Sequence, residues 1–318
     1  PDRIAAALEA GTRVGEVAVD ANGEVAAHWG AVFLTDGVVE TGGTVTDPRF
    51  RRRGLANVLG DRLLERLVAM GVHGRLREPV LTHSATQAIA LREGAVLMGI
   101  NLQAAMPLQQ VGITDGVLDE RLSISVFYGP LTPLPPAVLH APSMYAPILN
   151  EVLSKSEWGY RVADARPAAD TPPHSTVASS YDSVNRVGSV EVTLVGSDLI
   201  DVIDEVHAQL RRAGAEVVRV MLPLYQPATA SVGAGLGSLG FAYGFLAPRY
   251  GKYGNVLFVQ WLRNPEVDLS GWVFADPHVE KVATMIVTQV SELNRSAVAL
   301  RRREARRQQL FAALPAAD

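Results

Sequence analysis

The densest group of residues that could do chemistry is Arg51-Arg52-Arg53-Gly54-Leu55-Ala56. Three guanidinium groups precede a glycine, and an apolar periodicity starts at once. Leu55, Leu59, Leu63, Leu67 and Met70 fall on one face, Asp61, Arg62, Glu65 and Arg66 fall elsewhere, and Gly71 stops the pattern. That spacing predicts a helix that opens directly from the loop. The first amides of a helix have no partner inside it and sit at the positive end of its dipole, so a phosphate can fill the vacancy. Gly54 lets the backbone come close to the anion. A strand over residues 38–46 leads into the loop and ends at Asp47-Pro48.

The rest of the composition mainly excludes. The chain has no cysteine, which removes disulfides, thiolate zinc sites and a cysteine nucleophile, and suits a reducing, cytoplasmic setting. Its seven histidines never take the close spacings of a metal-binding helix, so no metal is expected. No Gly-x-Ser-x-Gly elbow is present. Gly235-Leu-Gly-Ser-Leu-Gly240 spells a dinucleotide fingerprint, but it does not directly follow a strand and lacks the acidic residue about 20 positions on, so close helix packing explains it better. A net charge of -4 gives no general attraction to nucleic acid or to anionic membranes. No apolar run approaches the ~20 residues of a membrane span, and no signal peptide is visible. At 318 residues and 48% hydrophobic content, two globular domains are expected.

With its strand and helix, Arg51-Arg-Arg-Gly54-Leu-Ala56 resembles the signature loop of the GNAT superfamily of acyl-CoA N-acyltransferases, Gln/Arg-x-x-Gly-x-Gly/Ala between the fourth strand and third helix. The resemblance implies that Arg51, Arg52, Arg53, Gly54, Leu55 and Ala56 cradle the pyrophosphate of acetyl-CoA or another acyl-CoA. It also implies that Val45 and Thr46 pair with the pantetheine arm. Glu40, eleven residues before Arg51, matches the place where some members keep a glutamate that takes the proton of the attacking amine, a task favoured when burial raises its pKa. The alternative for Glu40 is a strand-end carboxylate in solvent or in an ion pair.

Residues 83–94 align with the family's second motif, in which an Asn opens a helix and a Tyr protonates the departing thiolate. Here His83 stands at the Asn position and Ala90 at the Tyr position, so the usual general acid is absent. His83 is then a candidate proton donor, with Ser84 and Gln87 as neighbouring cofactor contacts. The alternative is that His83 and Ser84 merely cap the helix.

The positioning elements follow from pattern. A short helix over residues 2–9 precedes a hairpin of strands 14–19 and 25–33 around Asp20-Ala-Asn-Gly23. In the family these are strands two and three, so the usual first strand and helix are missing or lie upstream. Strands are expected at 75–82, 99–106 and 123–128. A proline-rich run at 129–136 marks the likeliest boundary by composition, followed by a helix at 142–152 and an Ala/Pro connector at 165–173. The second half repeats the order: strand 188–195, helix 198–212, strand 217–222, helix 227–239, strands 241–245 and 256–262. Val195-Gly-Ser-Asp198 replaces the arginine loop, and Asp198 would repel a phosphate.

The expected fold is α/β (α+β), with two GNAT-like domains, each a mixed, mostly antiparallel splayed sheet flanked by helices, plus a C-terminal helix. Residues 1–129 form the acyl-CoA domain, 130–175 a linker and helix, 176–270 a degenerate copy, and 271–318 a helical tail broken near Asn294. That tail docks on the body or joins two copies of the chain. The expected activity is acyl transfer from acyl-CoA to a primary amine of a small molecule or peptide. The alternative is a non-catalytic acyl-CoA binder.

Overall fold

The structure is a computed structural model that describes residues 2–108, 116–164 and 170–312, with backbone alone at 2–3 and 298–312. After α1 (Asp2–Glu9), three antiparallel strands, β1 (Arg13–Val19), β2 (Val25–Thr35) and β3 (Val38–Thr46), lead to α2 (Leu55–Ala69). Then come β4 (Gly74–Arg77), α3 (Ala85–Arg92), β5 (Val96–Ala105) and β6 (Leu122–Pro130). A small two-stranded sheet, β7 (Ala137–Leu139) with β8 (Tyr160–Val162), encloses α4 (Ala146–Leu153). The second half contains β9 (Thr176–Asp182), β10 (Val187–Leu194), α5 (Leu199–Ala213), β11 (Val217–Pro223), α6 (Gly233–Leu239), β12 (Ala242–Ala247) and β13 (Val256–Leu262). α7 (Pro277–Ala312) ends the described chain.

Eleven strands form one sheet in the order β1-β2-β3-β4-β6-β5-β12-β13-β11-β10-β9. All neighbours are antiparallel except β3 with β4 and β10 with β11. Read inward from either edge, the two halves carry the same arrangement: antiparallel strands, one parallel pair joined through a helix, then an antiparallel pair. The halves meet at β5 and β12, which share a single backbone pairing, Gly99 with Phe245. Side chains complete this seam. Gln260 donates to the carbonyls of Ile100 and Tyr243, both at 3.0 Å, and accepts from the Leu102 amide at 2.9 Å, while the Tyr243 hydroxyl donates to the Met98 carbonyl at 2.8 Å. These bonds satisfy buried polar groups where strand pairing is sparse.

Two apolar cores follow from this layout. The smaller one packs Leu59, Leu63 and Leu67 of α2 against Val14, Ala27, Trp29, Ala31 and Val39 of β1 to β3. The larger runs through both halves without a break at the expected boundary. Residues 137–153, expected in a linker, supply core to it through Leu139, Tyr145, Ile148, Leu149 and Val152.

Other expectations shift in detail. Met70, placed on the buried face of α2, is 46% exposed because the helix has already ended at Ala69. The strand expected at 75–82 stops at Arg77, since Pro79 has no amide to donate and only Val80 makes an isolated bridge, to Ile124. β7, β8 and β9 were not anticipated. The helix at 227–239 divides into a 3-10 turn, Pro227–Ser231, and α6. α7 runs unbroken through Asn294 and docks on the body, burying Val279, Val282, Ala283, Ile286 and Val290. The connector residues 165–169 lie outside the described residues.

Candidate functional site

The site begins where two parallel strands part. β3 and β4 pair only at Val38 with Gly74, Val39 with Arg75 and Glu40 with Leu76. Beyond Glu40, β3 continues to Thr46 with β2 alone, and the chain after Arg77 turns to follow β6. The register between β2 and β3 also shifts, so that Trp29 faces both Gly43 and Thr44. Such a bulge twists a strand and takes backbone groups out of the ladder. Its carbonyl at Gly43 accepts, or is met by, the His28 ring at 3.0 Å.

The resulting cleft holds about 300 Å³ between Glu40, Thr41, Gly42, Gly43 and Thr44 on one arm and Arg77, Glu78, Pro79, Val80, His83 and Thr86 on the other. Three buried polar atoms on its walls have no hydrogen-bond partner: Thr41 Oγ1, His83 Nδ1 and Thr86 Oγ1. Buried polar atoms are rarely left so, and these three are polar groups still available on the cleft wall.

The arginine loop lies at the end of β3. A short 3-10 turn, Pro48–Phe50, is capped by Asp47, which accepts from the Arg49 amide at 2.8 Å. Arg52 and Gly54 both take left-handed backbone, with φ of 61° and 76°, and Gly54 is the N-cap of α2. The Gly54 carbonyl accepts from Asn57 and Val58, while the amides of Arg52, Arg53, Gly54, Leu55 and Ala56 bond to no described group. Arg51, Arg52, Arg53 and Gly54 are exposed, and Leu55 and Ala56 are half-buried. Five amides are left unbonded around the start of α2, in a loop that carries three arginines, and donors of this kind can meet an anion.

The residues expected from sequence fall out unevenly. Glu40 and His83 both line the cleft. Glu40 stands at the last position of β3 paired with β4, forms no ion pair among the described residues, and is held above the usual carboxylate range by burial, against a lowering by Arg13. Val45 and Thr46 lie past the cleft: Val45 is 65% exposed, and the Thr46 carbonyl accepts from Arg51 Nε at 3.3 Å. The backbone at the cleft is that of Thr41 to Thr44 instead. Ser84 is the N-cap of α3 but makes no side-chain cap bond, and Thr86 rather than Ser84 reaches the cleft wall. Gln87 is a correction. It is 0% exposed, and its amide is spent on the carbonyls of Val80, His83 and Val273 and on the Ala275 amide, which ties α3 to the segment before α7. Ala90 is likewise fully buried in the core.

Glu78 was missed. It lies two residues beyond Leu76, the partner of Glu40, and faces Glu40 across the cleft. Burial first, then the Glu40 charge, push its pKa up to about 7, against a lowering by Arg219 of β11. The carboxylates of Glu78, Glu191 and Glu40 also act on Tyr250, between β12 and β13, whose pKa burial chiefly raises. In sequence, Glu78-Pro79 at the end of a strand was the available signal, but the strand was read through it.

The second half has a corresponding parallel pair with a different interior. β10 and β11 pair over five positions, from Val187 with Val217 to Glu191 with Met221, before they part. Gln226 then bridges the gap, donating to the Thr193 carbonyl at 2.8 Å and accepting from the Val195 amide at 2.9 Å. The next amides are taken as well: Gly196 by Ser175 Oγ, Ser197 by the Pro172 carbonyl and Leu199 by the Gly196 carbonyl. Asp198, the N-cap of α5, accepts from the Ser175 amide at 2.7 Å and pairs with His174. A cavity of about 360 Å³ elsewhere has Glu120, Arg121, Glu216 and Asp268 on its walls, and Arg121 there is engaged by Glu216 and by the Gln103 and Asn185 carbonyls.

Among the described residues no group of three His, Asp or Glu could hold a metal ion, and no helix is long and apolar enough to cross a membrane.

No protein-family model and no curated protein matches the chain. The solved structures it resembles are acetyltransferases of the GNAT superfamily, each over about two fifths of its length. One is the ribosomal-protein-S18-alanine N-acetyltransferase of Escherichia coli, at 20% identity over 42% of this chain and 77% of that one, with a TM-score of 0.34. Another is a GNAT-superfamily phosphinothricin acetyltransferase of Sinorhizobium meliloti in complex with AcCoA, at 20% identity over 41% and 68%, with a TM-score of 0.32. A third is an aminoglycoside 6'-N-acetyltransferase complexed with coenzyme A, at 14% identity over 39% and 76%, with a TM-score of 0.29. At such TM-scores the functional reading rests on the geometry of the cleft.

Proposed function

We propose that the protein is an N-acyltransferase that moves an acyl group, acetyl in the simplest case, from acyl-CoA to a primary amine of a small molecule or peptide. The observation that carries this reading is the row of five unbonded amides at residues 52–56, beside an open cleft between two diverging parallel strands. In it, the loop holds the pyrophosphate, and the arginines add charge-assisted bonds. The pantetheine arm lies along the free edge of β3 at Thr41 to Thr44, where backbone groups can pair with its amides. Backbone N–H groups released by the bulge polarise the thioester carbonyl. A cleft carboxylate, Glu40 or the facing Glu78, takes the amine proton, and His83 or water protonates the leaving sulfur. The second half is a GNAT-like copy that walls the acceptor side and does not bind coenzyme A.

Calorimetry with acetyl-CoA and with coenzyme A tests the cofactor reading, and thiol release with a panel of primary amines tests the transfer. Absence of binding removes the proposal. A second reading, a non-catalytic acyl-CoA sensor, is favoured by the buried Ala90 at the position of the usual acid. Tight binding with no turnover of any amine would select it.

A further inference from the structure

We propose that Glu78, rather than Glu40, is the catalytic residue that takes the amine proton, with Glu40 as its positioning neighbour; this rests on the acyl-transfer reading above. The two carboxylates stand on opposite arms of one cleft, at the point where β3 and β4 separate. Glu40 is the last residue of β3 that pairs with β4, and Arg13 lies near its charge. Glu78 follows the end of β4 and precedes Pro79, and no described group donates a hydrogen bond or ion pair to its side chain. A carboxylate free of donors and facing an open cleft keeps its lone pairs for a substrate proton.

The groups that face Glu78 come from every element packed around it. Glu40 on β3 repels its charge, Arg219 on β11 attracts it, and Tyr250 feels the charges of both carboxylates, with Arg77 and His83 on the same cleft wall. Arg219 Nε and one terminal nitrogen are buried without a partner, and Arg219 acts on Glu78 through its charge without forming an ion pair with it. Burial and Glu40 together keep Glu78 near neutrality, the range in which a carboxylate can both accept and release a proton at physiological pH. The second half thereby acts on the charge of Glu78 through Arg219.

The step balances as follows. The Glu78 carboxylate takes one proton from the bound ammonium, and the freed nitrogen lone pair forms a bond to the thioester carbon while the carbonyl π pair moves to oxygen. That pair then returns, the carbon–sulfur bond breaks, and sulfur leaves with its electrons. The remaining surplus proton on nitrogen passes through His83 or water to the thiolate, and Glu78 gives its proton to solvent. The products are the amide, coenzyme A and one proton.

The test uses the full chain with acetyl-CoA, following thiol release with a panel of mono-, di- and polyamines and lysine peptides, and with water alone, from pH 5.5 to 9. Glu78→Gln is expected to lower kcat at least 100-fold and to remove the rise of kcat through pH 7, with acetyl-CoA affinity unchanged within about twofold. Glu40→Gln is expected to lower kcat less than Glu78→Gln does and to keep the rise with pH, moved to lower pH because a repelling charge is gone. Loss of turnover in Glu40→Gln with activity retained in Glu78→Gln overturns the assignment, as does activity retained in both. A protein that binds acetyl-CoA but transfers to neither amines nor water overturns it too, while the cofactor reading stands. No acetyl-CoA binding at all removes the underlying reading itself.

Discussion

The two places where parallel strands part in this sheet differ less in room than in what their backbone is doing. The second-half gap keeps a cavity of about 540 Å³ at its mouth, larger than the roughly 300 Å³ of the first. In the first, however, five successive amides at the helix start and the edge of β3 are free, while in the second the equivalent groups are bonded by Gln226, Ser175 and Pro172, and Asp198 places a carboxylate at the helix start. Volume alone does not make an anion site. Unbonded donors do, because an anion must replace water with something that donates as well.

The largest effect should come from the seam that makes the halves one sheet. Gly99 has a φ of 147°, and a β-carbon there would run into the Gly244 carbonyl oxygen. Gly99→Ala is expected to cost about 4 kcal/mol by denaturant unfolding, as strain and overpacking add. A loss below about 1 kcal/mol would mean that the halves are not coupled at this point.

Exchanging the helix caps sharpens the contrast directly. Gly54 and Asp198 are both N-caps, and α2 would acquire the second half's charge in Gly54→Asp. Acetyl-CoA affinity should fall about 100-fold by calorimetry, roughly 3 kcal/mol, from repulsion of the pyrophosphate. Gly54→Asn, neutral and tolerant of left-handed backbone, should lose much less. Equal losses in the two variants would show that shape rather than charge decides.

Gln226→Ala runs the comparison in reverse. Freeing the Thr193 carbonyl and Val195 amide should cost about 1–2 kcal/mol of stability without creating coenzyme A binding, since Asp198 remains. If a second equivalent of acetyl-CoA appeared in the titration, the side chain alone would have been the block.

The smallest effect is a pH slope. A carboxyl raised from its ordinary value to about 7 binds more protons folded than unfolded between those values, so stability falls as pH rises through that window. The full linkage would be roughly 3 kcal/mol, reduced to about 1–2 kcal/mol by solvent at the cleft. Thermal unfolding of the wild type relative to Glu78→Gln should therefore decline between pH 5 and 8. A flat difference would remove Glu78 as the titrating group.

The arginine loop was legible before any coordinates because its signal is local: a strand exit, a glycine, and an apolar periodicity that begins at once. Asp198 was legible for the same reason. The cleft itself was not. Gln87 was expected as a cofactor contact near His83, but α3 turns it inward, where it bonds the segment before α7. Glu78 was hidden inside an overlong strand, because only the parting of β3 and β4 makes that position face a cavity.

Local spacing in the chain was enough to specify a helix that starts at Gly54 after an arginine loop in one half, an aspartate at the helix start in the other, and strands and helices of a mixed α/β fold. Those properties depend on neighbours within a few residues, through backbone valence and helical or extended periodicity. Tertiary structure alone decided that the halves share one sheet through Gly99 and Phe245, that residues 137–153 are core, and that Glu40, Glu78 and His83 surround one cleft. Each of these requires residues far apart in sequence to meet, and burial and charge at such a meeting depend on the packed whole.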